Sequence, residues 1–297
     1  MEPLPMKGIL LAGGTGSRLF PVTSSINKHL LPIYDKPMVY YALTTLISAS
    51  ICEICLICNE KDFDSYKNLL GNGSEFGISI EYIIQDQPKG ISQALSLASG
   101  FIGESNVSVI LGDNVFVDQG DIRKNVENFK SGAHIFALPV KNPENYGIVE
   151  VNADLEPISL VEKPQNSTSR LAIPGFYIFD SYCSQYAASV DLSDRGEYEI
   201  IDLLKRYLDK DKLKVSLLSR GVGWIDAGTS KNHAIVSRYI EAKQQMHGVM
   251  IGSPHEAAHV RGFIDDAQLL AFAKNIKPSE YSDYLENLIL YSPTLRN

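Results

Sequence analysis

The sequence predicts an α/β protein with a doubly wound, mostly parallel, Rossmann-like sheet, and three observations support this class. Short apolar runs alternate with segments of helical periodicity through the first two-thirds of the 297 residues. Acidic and amide side chains follow the ends of several of these runs, which is where doubly wound sheets bind their ligands. The stretch 146–179 shows strand and turn patterns without helices, which predicts a small inserted sheet over the pocket.

Each predicted element rests on its own local pattern. Seven apolar runs are predicted strands: 8–12, 54–58, 78–85, 107–111, 135–140, 158–162 and 173–179. Apolar residues at helical spacing predict helices between the early strands: 38–49, 62–70, 92–99 and 122–129. Four more helical patterns follow: 230–246, 254–260, 267–274 and 280–290. The simplest division is therefore an α/β domain over 1–229 that carries the site and a C-terminal helical appendage over 230–297.

Composition and charge exclude several classes of protein. Hydrophobic residues make up 44% of the chain and charged residues 21%, as is usual for a globular protein. The formal net charge is −8 and no basic stripe offsets it, so we expect no nucleic acid as a partner. No stretch approaches the roughly 18 apolar residues that a membrane span requires. The N-terminal residues lack the pattern of a signal peptide, so the expected location is the cytoplasm.

A glycine-rich loop directly follows the first predicted strand. Gly13, Gly14 and Gly16 lie within four residues, so backbone N–H groups can converge on an anion, and Arg18 adds a planar set of donors beside them. The loop does not match the P-loop pattern, and Leu19 stands where the dinucleotide-binding pattern has its last glycine. The resulting hypothesis is a polyphosphate site on the first βα turn, with a glycine turn that binds nothing as the alternative.

Two aspartates are candidate metal ligands. Asp113 follows the predicted strand 107–111, and Asp226 precedes a glycine turn and a new helix. Mg²⁺ prefers one or two carboxylates together with phosphate oxygens and water, so two aspartates from separate strand ends suit it. The alternative interpretation of each is a turn or helix-capping residue.

Three further polar side chains are candidates for binding a phosphorylated ligand. Lys28 follows the glycine-rich loop, and Lys163 follows the predicted strand 158–162, so both are candidate phosphate ligands. Gln85 ends a predicted strand with an amide that can pair with the edge of a nucleobase. Taken alone, each is equally a solvated polar residue at the end of an element.

Two patterns resemble metal sites but are interpreted as structural. Cys52, Cys55 and Cys58 are evenly spaced, yet they lie in an apolar strand-like run without a glycine that would let the chain wrap an iron–sulfur cluster. His255 and His259 match a zinc-protease string, but this string lies in the helical appendage and no supporting methionine turn follows. A zinc hydrolase is kept as an alternative.

Taken together, the motifs resemble the sugar-1-phosphate nucleotidyltransferases, and most closely the thymidylyltransferase branch. The two long matching strings are LAGGTGSRLFPVT at 11–23 and KHLLPIYDKPM at 28–38. Shorter matches follow in order at 85, 88–94, 111–114, 145–147, 162–164, 195–197 and 224–229. The resemblance extends from about residue 6 to about residue 290, which is nearly the whole chain.

The resemblance implies that glucose-1-phosphate and dTTP give a nucleoside-diphosphate sugar and pyrophosphate. It implies Mg²⁺ held by Asp113 and Asp226, and a catalytic set of Arg18, Lys28 and Lys163. The implied nucleotide-binding residues are Leu11, Gly13, Gly14, Gly16, Gln85 and Gly90. The implied sugar-phosphate-binding residues are Asn114, Tyr146, Gly147, Glu162, Lys163, Gly175 and Arg195. The resemblance also implies a homotetramer in which the helical appendage serves assembly and regulation.

Three alternatives to this substrate pair and activity remain open. UTP could replace dTTP, because thymine and uracil present the same pairing edge to Gln85 and differ by one methyl group. Another sugar-1-phosphate could replace glucose-1-phosphate, because Pro174 and Asp118 depart from the family pattern near the expected sugar pocket. The chain could also be a sensor of nucleotide sugars that keeps the fold without turnover. Retention of both aspartates and of the catalytic set favours an enzyme.

Overall fold

The structure of the protein is a computed structural model that describes residues 4–276 and 278–290. Within these residues the strands are β1 (Met6–Leu11), β2 (Pro32–Ile33), β3 (Lys36–Pro37), β4 (Glu53–Cys58), β5 (Ser79–Ile84), β6 (Asn106–Leu111), β7 (Asn114–Phe116), β8 (Ala133–Pro139), β9 (Gly147–Val151), β10 (Pro157–Glu162), β11 (Leu171–Ala172), β12 (Phe176–Phe179), β13 (Leu213–Leu217) and β14 (Trp224–Asp226). The α-helices are α1 (Met38–Ser48), α2 (Phe63–Leu70), α3 (Ile91–Leu97), α4 (Ser99–Ile102), α5 (Gly120–Glu127), α6 (Cys183–Ala188), α7 (Ile200–Leu208), α8 (Ser230–His247), α9 (Pro254–Val260), α10 (Asp266–Asn275) and α11 (Glu280–Leu290). None of these helices combines the length and the apolar character that crossing a bilayer requires.

One half of the central sheet is parallel and confirms the predicted fold class. Strands β5, β4, β1 and β6 lie side by side in that order, and each neighbouring pair runs parallel. Leu10 in β1 aligns with Leu56 on one side and with Ile110 on the other. Because parallel strands end at the same edge of a sheet, the loops after Leu11 and Leu111 lie next to each other.

The other half of the sheet is mixed and carries the predicted insert. Strand β12 is antiparallel to β6 and β8, whereas β13 runs parallel to β8. The inserted strands β9, β10 and β11 are continuous with the central sheet, because Ala172 in β11 pairs with Leu138 near the end of β8. The predicted strand at 173–179 starts later, at Phe176. Pro174 lies before that start, as expected of a residue that cannot donate to a ladder.

A short ladder that the sequence patterns do not predict brings two distant segments together. Strands β7 and β14 are antiparallel, and Asn114 lies opposite Asp226. Each strand has only three residues, too few for a pattern of alternation. The sequence patterns also do not predict strand β13 or helices α6 and α7, which are present in the structure. The ladder matters for the site because it places Asp226 beside the end of β6.

Two apolar layers cover the two faces of the sheet. Adjacent residues of β1 point to opposite layers, with Leu10 in the layer formed by α1, α2 and α5 and Ile9 in the layer formed by α3, α6 and α7. Buried residues of α9 and α10, among them Ala258 and Leu269, belong to the same layer as Leu10. The C-terminal helices therefore share the core on that face of the sheet.

The evenly spaced cysteines are part of this core. Cys55 and Cys58 are fully buried in β4, whereas Cys52 is exposed before the strand begins, and all three are free thiols. Burial raises the pKa of Cys55 to about 12 and that of Cys58 to about 11. These two residues therefore pack as small hydrophobic side chains.

The histidines of the zinc-protease-like string have separate partners. The buried ring of His255 stacks on Phe272 at 3.7 Å between ring centres, and its Nδ1 lies 2.8 Å from the hydroxyl of Tyr281. The Nε2 of His259 lies 2.6 Å from a carboxylate oxygen of Asp266. Among residues 4–276 and 278–290, no group of three or more histidine, cysteine or acidic side chains is placed to hold a metal ion. The string is therefore helical packing.

Candidate active site

The glycine-rich loop lies at the carboxyl edge of the parallel half of the sheet. Gly16 has φ +66°, a left-handed conformation that favours glycine, and its carbonyl accepts a hydrogen bond from Thr23 Oγ1 at 2.9 Å. A Cβ atom added to Gly14 would lie 3.2 Å from Lys28 Nζ. The loop therefore places backbone and an ammonium group side by side.

A buried polar network holds the segment that carries Lys28. The side chain of Asn27 accepts a hydrogen bond from the backbone N–H of His29 at 3.0 Å and donates one to Asp62 at 2.7 Å. Burial, reinforced by the charge of Lys28, lowers the pKa of His29 to about 3, so this ring is neutral. The Lys28 ammonium extends past it to Asp113, with 2.5 Å between Nζ and Oδ2.

Asp113 and Asp226 lie side by side although 113 residues separate them in sequence. The backbone N–H of Ala227 donates to the carbonyl of Asp113 at 2.9 Å, which continues the β7–β14 ladder. The amide of Asn114 donates to Asp113 Oδ1 at 3.0 Å, and the backbone N–H of Gly228 donates to Asp226 Oδ1 at 2.8 Å. Both carboxylates are thus fixed by neighbours on short elements.

Gly228 provides the space in which the two carboxylates and an arginine converge. A Cβ atom added there would lie 2.6 Å from Arg18 Nη2, 2.8 Å from Asp226 Oδ1 and 3.2 Å from Asp113 Oδ2. A larger residue would push at least one of these groups away. Glycine at this position therefore keeps a cationic and two anionic groups around one point.

The pKa values of the two carboxyl groups move in opposite directions. Burial alone would raise the pKa of Asp113, but the charge and the hydrogen bond of Lys28 outweigh it and hold that pKa well below its usual range. Burial and the neighbouring charge of Asp113 raise the pKa of Asp226, and the Gly228 N–H and the charge of Arg18 oppose this only in part. Lys28 therefore compensates the charge of Asp113, whereas the charge of Asp226 is compensated only in part.

This set of donors fits a divalent cation such as Mg²⁺. Two carboxylates are the protein ligands that Mg²⁺ prefers, and it fills the remaining positions with water and phosphate oxygens. The raised pKa of Asp226 indicates that the nearby cations Arg18 and Lys28 compensate its charged form only in part. In the described part of the chain no third acidic, histidine or cysteine side chain completes a cage, so further ligands would come from solvent or substrate.

Two adjoining cavities meet at Asp113. The first, named the Gln85 cavity, is lined by Leu11, Gly13, Gly14, Lys28, His29, Gln85, Pro88 and Ala94. The second, named the Glu162 cavity, is lined by Arg18, Asn114, Asn145, Tyr146, Gly147, Glu162, Lys163, Ile173, Gly175, Tyr177, Glu199, Ile200, Ile201, Trp224 and Asp226. Five residues line both: Gly90, Ile91, Leu111, Asp113 and Glu197.

Neutral amides and close backbone contacts shape the Gln85 cavity. Gln85 follows β5 and is buried, and its Nε2 donates to Gln93 Oε1 at 2.7 Å. Gly90 has φ +114°, and a Cβ atom there would lie 2.4 Å from the carbonyl oxygen of Tyr198. Only glycine fits such a position, because a side chain would meet both backbone strain and a backbone atom.

Paired charges dominate the Glu162 cavity. Glu162 Oε1 lies 3.1 Å from Lys163 Nζ and 3.1 Å from Arg195 Nη1. A Cβ atom added to Gly147 would lie 3.2 Å from the other carboxylate oxygen of Glu162. Lys163 itself has φ +43°, a left-handed conformation that costs about 1 kcal/mol for a residue with a side chain. The backbone is thus strained at Lys163, the residue whose ammonium group pairs with Glu162 in this cavity.

Asn114 connects three walls of the Glu162 cavity. Its Oδ1 accepts hydrogen bonds from the backbone N–H of Gly175 at 2.9 Å and from Trp224 Nε1 at 2.7 Å. The ring of Trp224 packs edge-on against Tyr146, with 5.3 Å between ring centres. Asn114 therefore ties β7 to β14 and to the residue before β12.

Most residues expected from the sequence line one of the two cavities, but two do not. Gly16 packs under Lys28, and Arg195 lies at the rim, where its Nη1 is 3.1 Å from Glu162 and 3.3 Å from Glu199. Asp118, expected near the sugar pocket, lines neither cavity and instead accepts a hydrogen bond from the backbone N–H of Gly120 at 2.8 Å, just before α5.

Tyr177, Glu199 and Trp224 are among the lining residues that sequence reasoning did not assign to the site. Trp224 is the only tryptophan of the chain and stands two residues before Asp226, which places both side chains on one face of β14. Tyr177 stands two residues after Gly175, which the family resemblance assigns to the sugar-phosphate site. This spacing was therefore an available signal for both aromatic residues. Glu199 precedes a helix that no pattern predicted.

Comparison with known proteins identifies the family of this chain. A family model described as nucleotidyl transferase matches residues 7–245. Proteins named glucose-1-phosphate thymidylyltransferase from Mycolicibacterium smegmatis and Neisseria meningitidis are 42% and 41% identical to this chain over 286 residues, which is 96% of this chain and 99% of each relative.

Solved structures show the same fold. One from Bacillus anthracis, described as a candidate glucose-1-phosphate thymidylyltransferase in complex with sucrose, is 40% identical and superposes with a TM-score of 0.74 over 79% of this chain and 94% of that one. A UDP-glucose pyrophosphorylase bound to UDP-glucose shares the fold at 22% identity, with a TM-score of 0.70 over 81% of this chain and 100% of that one. From the family match and these relatives, the chain belongs to the nucleotidyl transferase family.

Proposed function

We propose that this chain transfers the thymidylyl group of dTTP to glucose-1-phosphate, giving dTDP-glucose and pyrophosphate. An oxygen of the sugar phosphate forms a bond to the α-phosphorus, and the bond from that phosphorus to the bridging oxygen breaks, so that pyrophosphate leaves with the electron pair. The observation that carries the proposal is the position of Asp113, which lines both cavities. Two substrates placed in the two cavities would meet beside it.

The properties of the two cavities support one assignment of the two substrates to them. The Gln85 cavity offers neutral amides and apolar walls, which suit a flat nucleobase, whereas the Glu162 cavity offers charged groups, which suit a hydroxyl-rich sugar and its phosphate. Curated relatives that this chain matches over 96% of its length carry the name glucose-1-phosphate thymidylyltransferase, which supports this choice of substrates.

We propose that Asp113 and Asp226 hold a Mg²⁺ ion. Such an ion would offset negative charge on the α-phosphate and the leaving group. The incompletely compensated charge of Asp226 supports its binding. Lys28, released from Asp113, would then be free to contact the phosphates that approach over the glycine-rich loop.

Positioning and charge compensation account for the rest of the proposed reaction. Arg18 beside Gly228 would bind the triphosphate, and Lys163 and Arg195 would exchange Glu162 for the sugar phosphate. No general base is needed, because a phosphate monoester is already anionic near neutral pH. Rate enhancement then comes from bringing two anions together between fixed cations.

The test is pyrophosphate release with Mg²⁺ and glucose-1-phosphate, with each of dTTP, UTP, CTP, ATP and GTP in turn. Fastest release with dTTP is the expected result, and a preference for UTP would reassign the chain to the uridylyl reaction. Absence of release with any nucleotide, for glucose-1-phosphate and for a panel of other sugar-1-phosphates, would contradict the proposal and favour a nucleotide-sugar sensor.

We also propose that the chain forms a homotetramer through the helices after residue 229. Large apolar side chains stay exposed there, with relative exposures of 74% for Met246, 64% for Val260 and 70% for Leu290. Light scattering coupled to gel filtration tests the assembly, and the expected mass is that of four 32.8 kDa chains. The mass of a single chain would contradict it.

A further inference from the structure

The orientation of the Gln85 side-chain amide determines which hydrogen-bonding group it presents to a nucleobase in the Gln85 cavity. A glutamine can present either its oxygen, which accepts hydrogen bonds, or its NH₂ group, which donates them. Thymine and uracil carry a hydrogen on N3, whereas N3 of cytosine is an acceptor. A fixed oxygen at this position therefore selects for the first two bases and against the third.

A backbone donor fixes the orientation of Gln85 through a neighbour. The N–H of Lys89, which also lies 2.8 Å from the carbonyl of Gln87, is 3.0 Å from the side chain of Gln93, so the Gln93 atom that faces it must be the oxygen. The same oxygen lies 2.7 Å from Gln85, so the Gln85 atom there must be the NH₂ group. The carbonyl of Gly90, at 3.4 Å from that group, agrees with the assignment.

The oxygen of Gln85 consequently faces the cavity beside Gly13. A Cβ atom added to Gly13 would lie 3.2 Å from Gln85 Oε1 and 3.5 Å from the side-chain oxygen of Asn59. The NH₂ group of Asn59 donates to Asp62, and the oxygen of the same amide is buried and has no hydrogen-bond partner among the described residues. Asn59 lines neither cavity, so the Gln85 oxygen is the acceptor that a ligand in this corner would meet, and such a ligand must bring a donor.

The segment that carries Gln93 is itself anchored, so this orientation does not depend on a mobile loop. Gly90 packs against the backbone of Tyr198, and the N–H of Ser92 donates to the carbonyl of Tyr198 at 3.2 Å. In the reverse direction, the N–H of Tyr198 donates to the carbonyl of Lys89 at 2.7 Å. The first turn of α3 is therefore held from both sides.

We propose that Gln93 is a positioning residue that locks Gln85 with its oxygen toward the base, so that the enzyme accepts bases with an N–H at the pairing edge and rejects cytosine. Gln93 lines neither cavity, so it acts only through Gln85. The proposal rests on the proposed function in so far as a nucleotide base occupies the Gln85 cavity.

The test compares dissociation constants of dTTP and dCTP, measured by calorimetry, for the wild-type protein and three variants. Gln93→Leu removes the acceptor that holds Gln85, Gln93→Glu keeps an acceptor there, and Gln87→Leu is a control on an exposed neighbour of the same loop. We expect the wild type to prefer dTTP and Gln93→Leu to reduce the ratio of the two constants by about tenfold or more, since one hydrogen bond is exchanged for a repulsive contact. Gln93→Glu and Gln87→Leu should keep the wild-type ratio.

Each other outcome has a defined meaning. An unchanged ratio in Gln93→Leu overturns the proposal, and so does equal weakening of both nucleotides, since a purely structural role would act on both alike. A wild type that binds dTTP and dCTP equally also overturns it. If the wild type discriminates in binding but releases no pyrophosphate, the proposed reaction fails while the role of Gln93 stands; if it binds neither nucleotide, both fail.

Discussion

The Gln85 cavity and the Glu162 cavity share one wall but bind through different chemistry. Fixed amides and glycines shape the first, and among its side chains Lys28 is the cation. The second contains Glu162, Glu199 and Asp226 together with Arg18 and Lys163. The comparison indicates that the Gln85 cavity recognises the shape and hydrogen-bonding pattern of its ligand, whereas the Glu162 cavity compensates the charge of its ligand.

The ion pairs of the two cavities also differ in how easily they exchange partners. The side chains of Lys28 and Asp113 are only 12% and 9% exposed, so separating them leaves a buried charge unless a cation replaces the ammonium. Lys163 and Arg195 are 40% and 43% exposed, and solvent screens their pairs with Glu162. A sugar phosphate can therefore displace Glu162 at small cost, whereas Lys28 needs the metal ion to be released.

The largest expected effect is at the junction of the cavities. Asp226→Asn removes one carboxylate of the aspartate pair at nearly unchanged size, and we expect kcat to fall at least about a thousandfold through loss of metal-assisted charge compensation. The variant should fold normally. Turnover at the wild-type rate would show that the two-carboxylate metal site is wrong.

The same variant has a pH signature in unfolding experiments without metal. The folded-state pKa of Asp226 is raised, so the folded protein binds more protons than the unfolded chain, and the wild type loses stability as pH rises through that range. Asp226→Asn should remove this part of the pH dependence. Added Mg²⁺ should restore stability to the wild type more than to the variant.

The next largest effect is expected in the Gln85 cavity. Gly90→Ala introduces a Cβ atom 2.4 Å from a backbone oxygen and strains φ, so the loop must move away from the base. We expect kcat/KM for dTTP to fall about a hundredfold, and KM for glucose-1-phosphate to rise by less, because Gly90 also lines the Glu162 cavity. Gly100→Ala is the matched control, because a Cβ there meets no atom within 4 Å. Equal effects of the two variants would contradict this interpretation of the cavity.

A smaller and complementary effect is expected in the Glu162 cavity. Glu162→Gln removes the charge that positions Lys163 and Arg195, at similar size. We expect KM for glucose-1-phosphate to rise about tenfold, since the Glu162 cavity loses a charged acceptor for the hydroxyl groups of the sugar, while KM for dTTP stays within twofold. A rise of KM for dTTP instead would mean that the two cavities bind the opposite substrates.

The smallest effect on activity is expected outside both cavities. Cys55→Ser places a hydroxyl group in the apolar interior of β4 and should lower the free energy of unfolding by roughly 1–3 kcal/mol. The exposed Cys52→Ser should leave stability within about 0.5 kcal/mol of wild type. Both should keep kcat, as measured by pyrophosphate release. Loss of kcat in Cys55→Ser at unchanged stability would contradict a structural role for this strand.

The Gln85 cavity was largely predictable because its groups come from the ends of parallel strands. The glycine-rich loop and Gln85 each follow an apolar run, and the shared edge of a parallel sheet brings such ends together. Asp113 was predictable for the same reason. The orientation of the Gln85 amide was not, because it depends on Gln93 in the following helix.

The Glu162 cavity was predictable mainly through family resemblance, because its walls come from pairings distant in sequence. Asp226 joins Asn114 through three-residue strands without a local pattern. Trp224 could have been found from its alternation with Asp226 on β14, and Tyr177 from its spacing of two residues from Gly175, whereas Glu199 precedes α7 without such a signal. Arg195, expected to line the site, lies at its rim, because three nearby glutamates compete for it.

The central claim is that a sugar-phosphate oxygen displaces pyrophosphate from dTTP, and isotope labelling tests it most directly. Glucose-1-phosphate labelled with ¹⁸O in its non-bridging phosphate oxygens would be converted with dTTP and Mg²⁺, and the products analysed by ³¹P NMR and mass spectrometry. The account predicts that all label appears in dTDP-glucose, with one ¹⁸O in the bridge between its two phosphorus atoms, and that pyrophosphate is unlabelled. Labelled pyrophosphate, or a product without a labelled bridge, would contradict it.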